Sequence, residues 1–266
     1  MASESPGYHY TWAADATGIS PILSDFLEVS MGVPHEHAHA AAGAVVHSWV
    51  LCLGLIVLAL VGRMGLNAAL SKADSSKYVP DSRLTVRNFW ELLVGGLQNL
   101  LGTILEGNDS RKPVFFGLLA TLFIFILFGN LMGLVPGLAA PTGELNTNLA
   151  MALAVLVVFN VAGLVRNGWG YIAHLFGPVW WLAPLIFVVE VLGVFIVRPV
   201  SLTLRLTGNM FGDHMVFGIM SDLTQLVIPT FFLGLGAFVS FIQALVFTLL
   251  SAVYIALATA HEDDHH

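Results

Sequence analysis

Long apolar stretches place the strongest limit on how this chain folds. A helix that crosses a membrane needs about 20 consecutive apolar residues, and several stretches approach or exceed that length. Of the whole sequence, 57% of the residues are hydrophobic and only 10% are charged, whereas soluble domains carry about 25% charged residues. The solvent around most of this chain must therefore be lipid. The apolar stretches cover about residues 44–62, 114–139, 149–165, 184–220 and 227–260.

We predict an all-α membrane protein with about five membrane-embedded helices. A single membrane domain occupies residues 43–260, between an outer N-terminal tail (1–42) and a cytoplasmic tail (261–266). Apolar residues at helical spacing within 84–105 predict an amphipathic helix that lies on the membrane surface. The last two stretches are longer than a perpendicular helix requires, so they must tilt steeply or break.

The positions of lysine and arginine predict the orientation. Residues 1–62 contain neither, and seven of the ten lie between Arg63 and Lys112. Because cytoplasmic loops are enriched in these residues, we expect the N-terminus outside and the C-terminus in the cytoplasm. Arg166 then falls on the inner side, as the rule requires.

Several function classes are disfavoured. A net charge of −7 argues against a nucleic-acid partner. The single cysteine, Cys52, excludes a disulfide framework. The histidines of HEHAH (35–39) suit a metal, but a solvated tail is the better interpretation, and we predict no metal or cofactor. No phosphate-binding Gly-x-x-x-x-Gly-Lys-Ser/Thr loop occurs, so the chain itself has no predicted nucleotide site.

Arg205 is a charge in the middle of an apolar segment. Such an arginine costs about 2.5–3.5 kcal/mol to insert, and its guanidinium stays protonated. It needs a carboxylate partner or a wet cavity, and an ion pathway is the default interpretation. The alternative is an arginine bonded to nearby backbone carbonyls. Arg198 lies nearer the cytoplasmic end, where its side chain can reach the interface.

Other polar residues line up with Arg205 along the same segment. Asn209 lies one helical turn beyond it, and Asp213 and His214 follow about 12–13 Å along the axis. Glu190 lies about 22 Å in the other direction. One helix thus carries an acid near its inner end, a cation in its middle and an acid–imidazole pair toward its outer end.

Further residues allow close contacts between helices. Gly208 and Gly212 form a small-xxx-small pair, for which generic helix packing is an equal alternative. For Asn130, interhelical hydrogen bonding is the favoured role, while Glu144 and Asn146 lie in a predicted outer loop. A polar stripe on the last helix consists of Ser240, Gln243, Phe247, Ser251 and Tyr254.

The stretch RPVSLTLRLTGNMFGDH (198–214) closely resembles the signature of the subunit a family of F-type ATP synthases. Three further segments resemble that family in order and position: FILFGNLMGLVPG (124–137), PTGELNTNLAMAL (141–153) and FIQALVFTLLSAVY (241–254). The resemblance covers about residues 85–260. It implies that the last two long helices form a strongly tilted hairpin against a rotating ring of c subunits.

The resemblance also implies roles for single residues. Arg205 matches the essential arginine of the family, and His214 matches a position held by an acid or histidine. Glu190 resembles a glutamate near the cytoplasmic end of the same helix. Asn209, Gln243 and Tyr254 match polar residues of the proton path.

Three departures from the family pattern stand out. Glu190 precedes Pro199 by one residue more than expected. Gly236 occupies a position that is often titratable, so Asp213 with His214 is an alternative there. Gly133 replaces an acid found in some members.

The implied function is that of the stator subunit that carries protons in ATP synthesis. Protons enter from outside past Asn146, Asp213, His214 and Gln243, ride on a c-ring carboxylate, and leave near Glu190, with Arg205 between the two half-channels. The implied partners are the c-ring, the peripheral-stalk b subunits and the lipid of a bacterial inner membrane. The alternatives are a stand-alone channel or secondary transporter, for which internal repeats are lacking, and a membrane scaffold.

Overall fold

The computed structural model is helical apart from short turns throughout the part that it describes. No described residue lies in a β-strand, so the predicted all-α membrane class is confirmed. The predicted cytoplasmic tail and most of the predicted outer tail lie outside this part. The described residues are 24–25, 35–70, 86–105, 112–135, 138–168, 170–171, 181–223 and 227–259.

Seven α-helices of the described chain are numbered here in chain order. A 3-10 turn (Pro141–Gly143) precedes α4, and a π-helical turn (Gly193–Val197) joins α5 to α6 without a break. The helices are α1 (His35–Leu70), α2 (Val86–Ile104), α3 (Lys112–Gly133), α4 (Leu145–Asn167), α5 (Ala183–Leu192), α6 (Arg198–Leu223) and α7 (Val227–Thr259).

Five apolar helical segments among the described residues are long enough to cross a membrane. The second of them ends at Gly133, before the predicted residue 139, because the N–H of Leu134 turns back to the carbonyl of Leu131. The third begins at Leu145, before the predicted residue 149, and takes two asparagines into its first turn. The segments are Val45–Gly65, Val114–Gly133, Leu145–Asn167, Ala183–Met220 and Thr230–Thr259.

Helix α2 is amphipathic, as its spacing predicts. It buries Leu97 and Leu101 and leaves Leu92 81% exposed. The indole nitrogen of Trp90 donates to the carbonyl of Leu58, 3.3 Å away, which ties α2 to α1. The opposite face of α2 is therefore free to meet the membrane surface.

The core lies where α7 packs against α3, α4 and α6. Its largest fully buried apolar side chains include residues from four helices. Helix α4 leaves this core at Gly168, whose φ of 53° suits glycine and whose N–H caps the carbonyl of Leu164. The buried residues include Leu119, Ile126, Val155, Phe159, Leu206, Phe247 and Ile255.

The last two long segments form an antiparallel hairpin. Arg198 meets Tyr254 near one end, and Asn209 meets Gln243 further along. The first segment, Ala183–Met220, is an apolar helical stretch of 38 residues. At 1.5 Å per residue it extends about 57 Å. A bilayer core is about 30 Å thick, so this length supports the predicted steep tilt.

Candidate functional site

Arg205 lies at the edge of the packed side of α6. Leu202, one turn before it, and Leu206, next to it, are both buried, whereas Arg205 itself is exposed. Among the residues that the structure describes, no carboxylate forms an ion pair with Arg205. Its guanidinium thus points away from the core of this chain. The alternative of an arginine held inside the chain by backbone carbonyls receives no support from this placement.

One turn beyond Arg205, the two long helices share a polar contact. Asn209 donates from Nδ2 to Oε1 of Gln243 across 2.6 Å. Gln243 is only 4% exposed, and its Nε2 has no described partner, as is true of the Ser240 hydroxyl one turn away on α7. Buried polar atoms are normally hydrogen-bonded. Gln243 Nε2 and the Ser240 hydroxyl are therefore available to hydrogen-bond water along a proton path.

Asp213 lines a cavity of about 150 Å³ between α6, α7 and the end of α3. An added Cβ at Gly236 would lie 2.9 Å from Cδ2 of Leu134. A side chain at this position would therefore require the Leu134 side chain to move. Asp213 supplies an acid to the same space. The other lining residues are Leu134, Val216, Phe217, Phe232, Leu235 and Gly236.

A buried chain of hydrogen bonds connects the turn before α4 to α6. The hydroxyl of Thr142 donates to Oδ1 of Asn130 at 2.5 Å. Asn148 donates to the backbone carbonyl of Thr142 at 2.7 Å and to the hydroxyl of Thr207 at 2.8 Å. Thr207 lies two residues after Arg205, so these bonds tie the helix of Arg205 to the 3-10 turn before α4. Asn130 on α3 is thus hydrogen-bonded to the 3-10 turn before α4.

Glu144 and Asn146 lie at the start of α4. Burial raises the pKa of the Glu144 carboxyl above its ordinary value, while Asn146 is exposed. The adjoining 3-10 turn packs against α6. Glu144 is the N-cap of α4 and Asn146 lies in its first turn, so the predicted loop ends one residue before Leu145 and does not include Asn146.

At the opposite end of the hairpin, Glu190 pairs with Arg198. Oε1 of Glu190 lies 3.9 Å from Nη2 of Arg198. The Arg198 guanidinium also lies over the ring of Tyr254, 5.1 Å from its centroid, and 5.7 Å from that of Phe159. Two predicted site residues, Glu190 and Tyr254, are therefore brought together through Arg198.

Other predicted residues have different surroundings. Around Gly208 and Gly212, nothing in the described chain lies within 4 Å of an added Cβ, so neither glycine serves packing inside this chain. The side chain of His214, like those of the HEHAH histidines, lies outside the description. Among the predicted residues on the hairpin, Glu190 and Tyr254 thus lie on one side of Arg205 along the helices, and Asn209, Gln243 and Asp213 lie on the other.

Comparison with known proteins agrees with this arrangement. The family model described as ATP synthase A chain matches residues 46–256. A protein named ATP synthase subunit a from Trichlorobacter lovleyi is 42% identical over 246 residues, covering 91% of this chain and 100% of the relative. Proteins of the same name are 41% identical in Citrifermentans bemidjiense and 39% identical in Bdellovibrio bacteriovorus. They cover 86% and 87% of this chain, and 92% and 95% of those relatives.

The chain belongs to the ATP synthase A chain family. It is thus part of an ATP synthase complex and a multi-pass membrane protein. The function predicted from the sequence, a proton-translocating stator subunit of the membrane sector, is confirmed at this level. Neither the channel or transporter alternative nor the scaffold alternative is favoured.

In this ATP synthase A chain member, sequence reasoning missed several polar residues that the fold brings together. Asn148, Thr142 and Thr207 are not among the predicted site residues, although all three lie within segments that carry the resemblance. Arg198 was assigned only to the interface, and Tyr171 was overlooked. The proline that follows Arg198 was a local signal of an irregular helix, because an interior proline removes a backbone hydrogen bond.

Proposed function

We propose that Arg205 separates two proton half-channels that lead to and from a ring of rotor subunits. The observation that carries the proposal is the exposure of Arg205 without an ion-pair partner in the described chain. A permanent charge in a membrane helix requires a partner or water. Since the side chain faces away from its own core, that partner belongs to another subunit. A rotor carboxylate, as on a c subunit, has the required charge.

The surface beside Arg205 has room for a rotor helix. Gly208 and Gly212 are open to additional atoms, and glycines let helix backbones approach closely. On the same helix, Leu204 and Phe211 are 58% and 63% exposed. The surface is apolar, contains small residues and carries one cation, Arg205. It therefore suits a rotor ring whose carboxyl groups are neutral where they face lipid and ionised where one of them faces Arg205.

The outer half-channel begins at the loop before α4. Glu144 and Asn146 lie at its mouth, and Asp213 lines the cavity deeper in. His214, next in sequence, is assigned to the same path, and Asn130 supports the loop through Thr142. The Asn209–Gln243 contact then leads to the level of Arg205.

The inner half-channel lies around Glu190, beside Tyr254. A proton that reaches a rotor carboxylate from outside neutralises it, and the neutral form can face lipid without the large cost of a buried charge. After almost a full turn, the site meets the inner half-channel and releases the proton there. Each charge that crosses gains about 2.3 kcal/mol per 100 mV.

Arg205 keeps the two half-channels apart. Its fixed positive charge favours the ionised form of the carboxylate that faces it, so the rotor site loses its proton before passing. The same charge repels protons that would cross directly. Coupling between proton flow and rotation follows, because the ring is then the only path.

Orientation and partners complete the proposal. Arg166, in the last turn of α4, marks the cytoplasmic side, which leaves Glu144 and the N-terminus outside a bacterial inner membrane. Lipid and peripheral-stalk b subunits would cover exposed apolar surface elsewhere. On α1, for example, Leu53 is 63% exposed and Ile56 is 55% exposed.

Replacement of Arg205 tests the proposal in inverted membrane vesicles that contain the whole complex. We expect Arg205→Ala to abolish proton-driven ATP synthesis while the chain still co-purifies with the c-ring. Arg205→Lys should fail as well, because it loses the planar fork and the very high pKa of arginine. Arg63→Ala, at an exposed position near the end of α1, is the matched control. Normal synthesis by the Arg205→Ala complex would contradict the proposal.

A further inference from the structure

The helix that carries Glu190 and Arg198 widens between them. Over Gly193–Val197 the backbone forms a π-helical turn, in which the N–H of Arg198 donates to the carbonyl five residues back. Such turns occur as single bulges inside α-helices and are frequent at functional sites. The local cause is Pro199, which has no N–H and so leaves a carbonyl in the preceding turn without its usual α-helical partner.

This turn changes which side of the helix Glu190 faces. Residues eight apart on a regular α-helix differ by about 80° around the axis, whereas residues seven apart differ by only about 20°. A π turn takes up one extra residue, so Glu190 faces the side of Arg198 as if seven residues separated them. The result is the 3.9 Å contact between Oε1 of Glu190 and Nη2 of Arg198.

Two other helices hold Arg198 in place. The ring of Tyr254 on α7 and the ring of Phe159 on α4 lie 5.1 Å and 5.7 Å from the guanidinium carbon. Cations are attracted to aromatic faces at such distances. The Arg198 side chain is 28% exposed and that of Glu190 is 40% exposed. The Arg198 guanidinium is therefore held between two aromatic rings, while the Glu190 carboxylate that it contacts is more exposed.

A phenol completes this polar group. The hydroxyl of Tyr171 donates to Oδ1 of Asn160 at 2.9 Å. Burial raises the pKa of Tyr171, while the charge of Arg198 lowers it and that of Glu190 raises it. Tyr171, which follows α4 in the chain, therefore lies close enough for both charges to act on its pKa.

We propose that Arg198 is a positioning residue that holds the Glu190 carboxylate at the inner half-channel, and that the π turn sets the register between them. This inference rests on the proposed function. Arg198 acts through Glu190 and is distinct from Arg205, which faces outward seven residues later. Glu190 precedes Pro199 by one residue more than the family spacing. The π turn accommodates this extra residue, so Glu190 still faces the same side of the helix as Arg198.

A double-mutant cycle tests whether Arg198 acts through Glu190. Proton-driven ATP synthesis is measured in inverted vesicles with the complete complex carrying Arg198→Met, Arg198→Lys, Glu190→Gln or Glu190→Gln with Arg198→Met. We expect Arg198→Met to lower the rate roughly tenfold, since misplaced reacting groups lose up to about a hundredfold. Arg198→Lys, which keeps the charge, should recover most of the activity.

In the Glu190→Gln background, Arg198→Met should have no further effect, because residues that act as one unit are not additive. The proposal would be overturned if the double variant lost the product of the two single-variant losses in synthesis rate. Full activity of Arg198→Met or of Glu190→Gln would also overturn it. The Arg205 experiment is independent of these results, so the separation of two half-channels by Arg205 can stand when this inference fails. Full activity of Glu190→Gln would in addition remove Glu190 from the inner half-channel.

Two deletions test the role of the π turn. Removal of Val197, which is 60% exposed, leaves Glu190 seven residues before Arg198 and converts the turn to a regular α-helix. We expect this complex to keep about half or more of the parental rate, because the angle between the two side chains stays near 20°. The matched control removes Val200, which is 41% exposed and lies on the other side of Arg198.

Removal of Val200 rotates the whole glutamate–arginine pair by about 100° relative to Arg205. We expect activity to be lost even where the complex still assembles. Equal damage from the two deletions, with both complexes assembled, would overturn the register role of the π turn.

Discussion

Asn209 and Gln243 join the two long helices of the hairpin through a hydrogen bond of 2.6 Å. The contact lies one turn from Arg205, and its Gln243 side is buried, at 4% exposure, whereas Asn209 is exposed. The proton path proposed above therefore passes through a bond that also holds the hairpin together. Its loss should affect both transport and stability.

Asn209→Leu tests this dual role. It leaves the Gln243 amide buried without its partner, and interhelical hydrogen bonds in membranes contribute about 0.6–2 kcal/mol. We expect reduced resistance of the solubilised complex to denaturant and loss of proton-driven synthesis. Replacing both residues by Leu should restore part of the stability, because no polar group is then left unpaired, but none of the transport. Thr248→Val is the control, since that hydroxyl bonds to Ala244 in its own helix; equal effects in Asn209→Leu and Thr248→Val would contradict the prediction.

Gly208→Phe tests the surface assigned to the rotor ring. Gly208 and Gly54 on α1 are both exposed, and nothing in the described chain lies within 4 Å of an added Cβ at either. A side chain at either position therefore starts in open space, and we expect neither change to unfold the chain. We expect Gly208→Phe to prevent rotation or c-ring assembly, and Gly54→Phe to be tolerated. Co-purification of the ring and ATP-driven proton pumping are the measurements. Normal pumping by the Gly208→Phe complex would place the ring elsewhere.

Gly163→Ala tests a close approach between α4 and α7. An added Cβ would lie 2.7 Å from Cε2 of Tyr171 and 3.0 Å from the backbone oxygen of Ala258. Overpacking of this kind typically costs about 1–3 kcal/mol. We expect a lower thermal midpoint for the solubilised complex, whereas Gly117→Ala, at an open position on α3, should have little effect. An unchanged midpoint for Gly163→Ala would show that Tyr171 moves aside at little cost.

Glu144 predicts a pH dependence of local stability at the start of α4. Burial raises its pKa in the folded chain, so the folded state keeps the proton where the open state has lost it. The free energy of local opening should therefore fall as pH rises above about 4.3, the ordinary pKa of glutamate. Glu144→Gln removes the free-energy cost of ionising a partly buried carboxyl.

Hydrogen–deuterium exchange of residues 141–148 in the intact complex measures the effect. At pH 7, Glu144→Gln should exchange more slowly than the parent, and the difference should disappear below about pH 4.3. Comparison at the same pH removes the intrinsic pH dependence of exchange. A difference of the same size at both pH values would rule out titration of Glu144 as its cause.

The membrane-embedded helices and the position of Arg205 were predictable because they depend on composition along the chain. An apolar stretch of sufficient length must become a helix in lipid, where every backbone group needs an internal partner. An arginine in such a stretch is conspicuous wherever it packs. The boundaries were less accurate at Gly133 and Leu145, where turn hydrogen bonds decide where a helix ends or begins.

The sequence by itself determined that this chain is a bundle of lipid-embedded helices with a permanent charge inside one apolar segment. Only the tertiary structure decided which polar residues meet, because those contacts depend on how separate helices rotate and slide against each other. Asn148 is hydrogen-bonded to Thr207, 59 residues later in the chain, and Asn209 to Gln243, 34 residues later. The Glu190–Arg198 pair, although local, depends on a π turn that spacing on a regular helix does not anticipate.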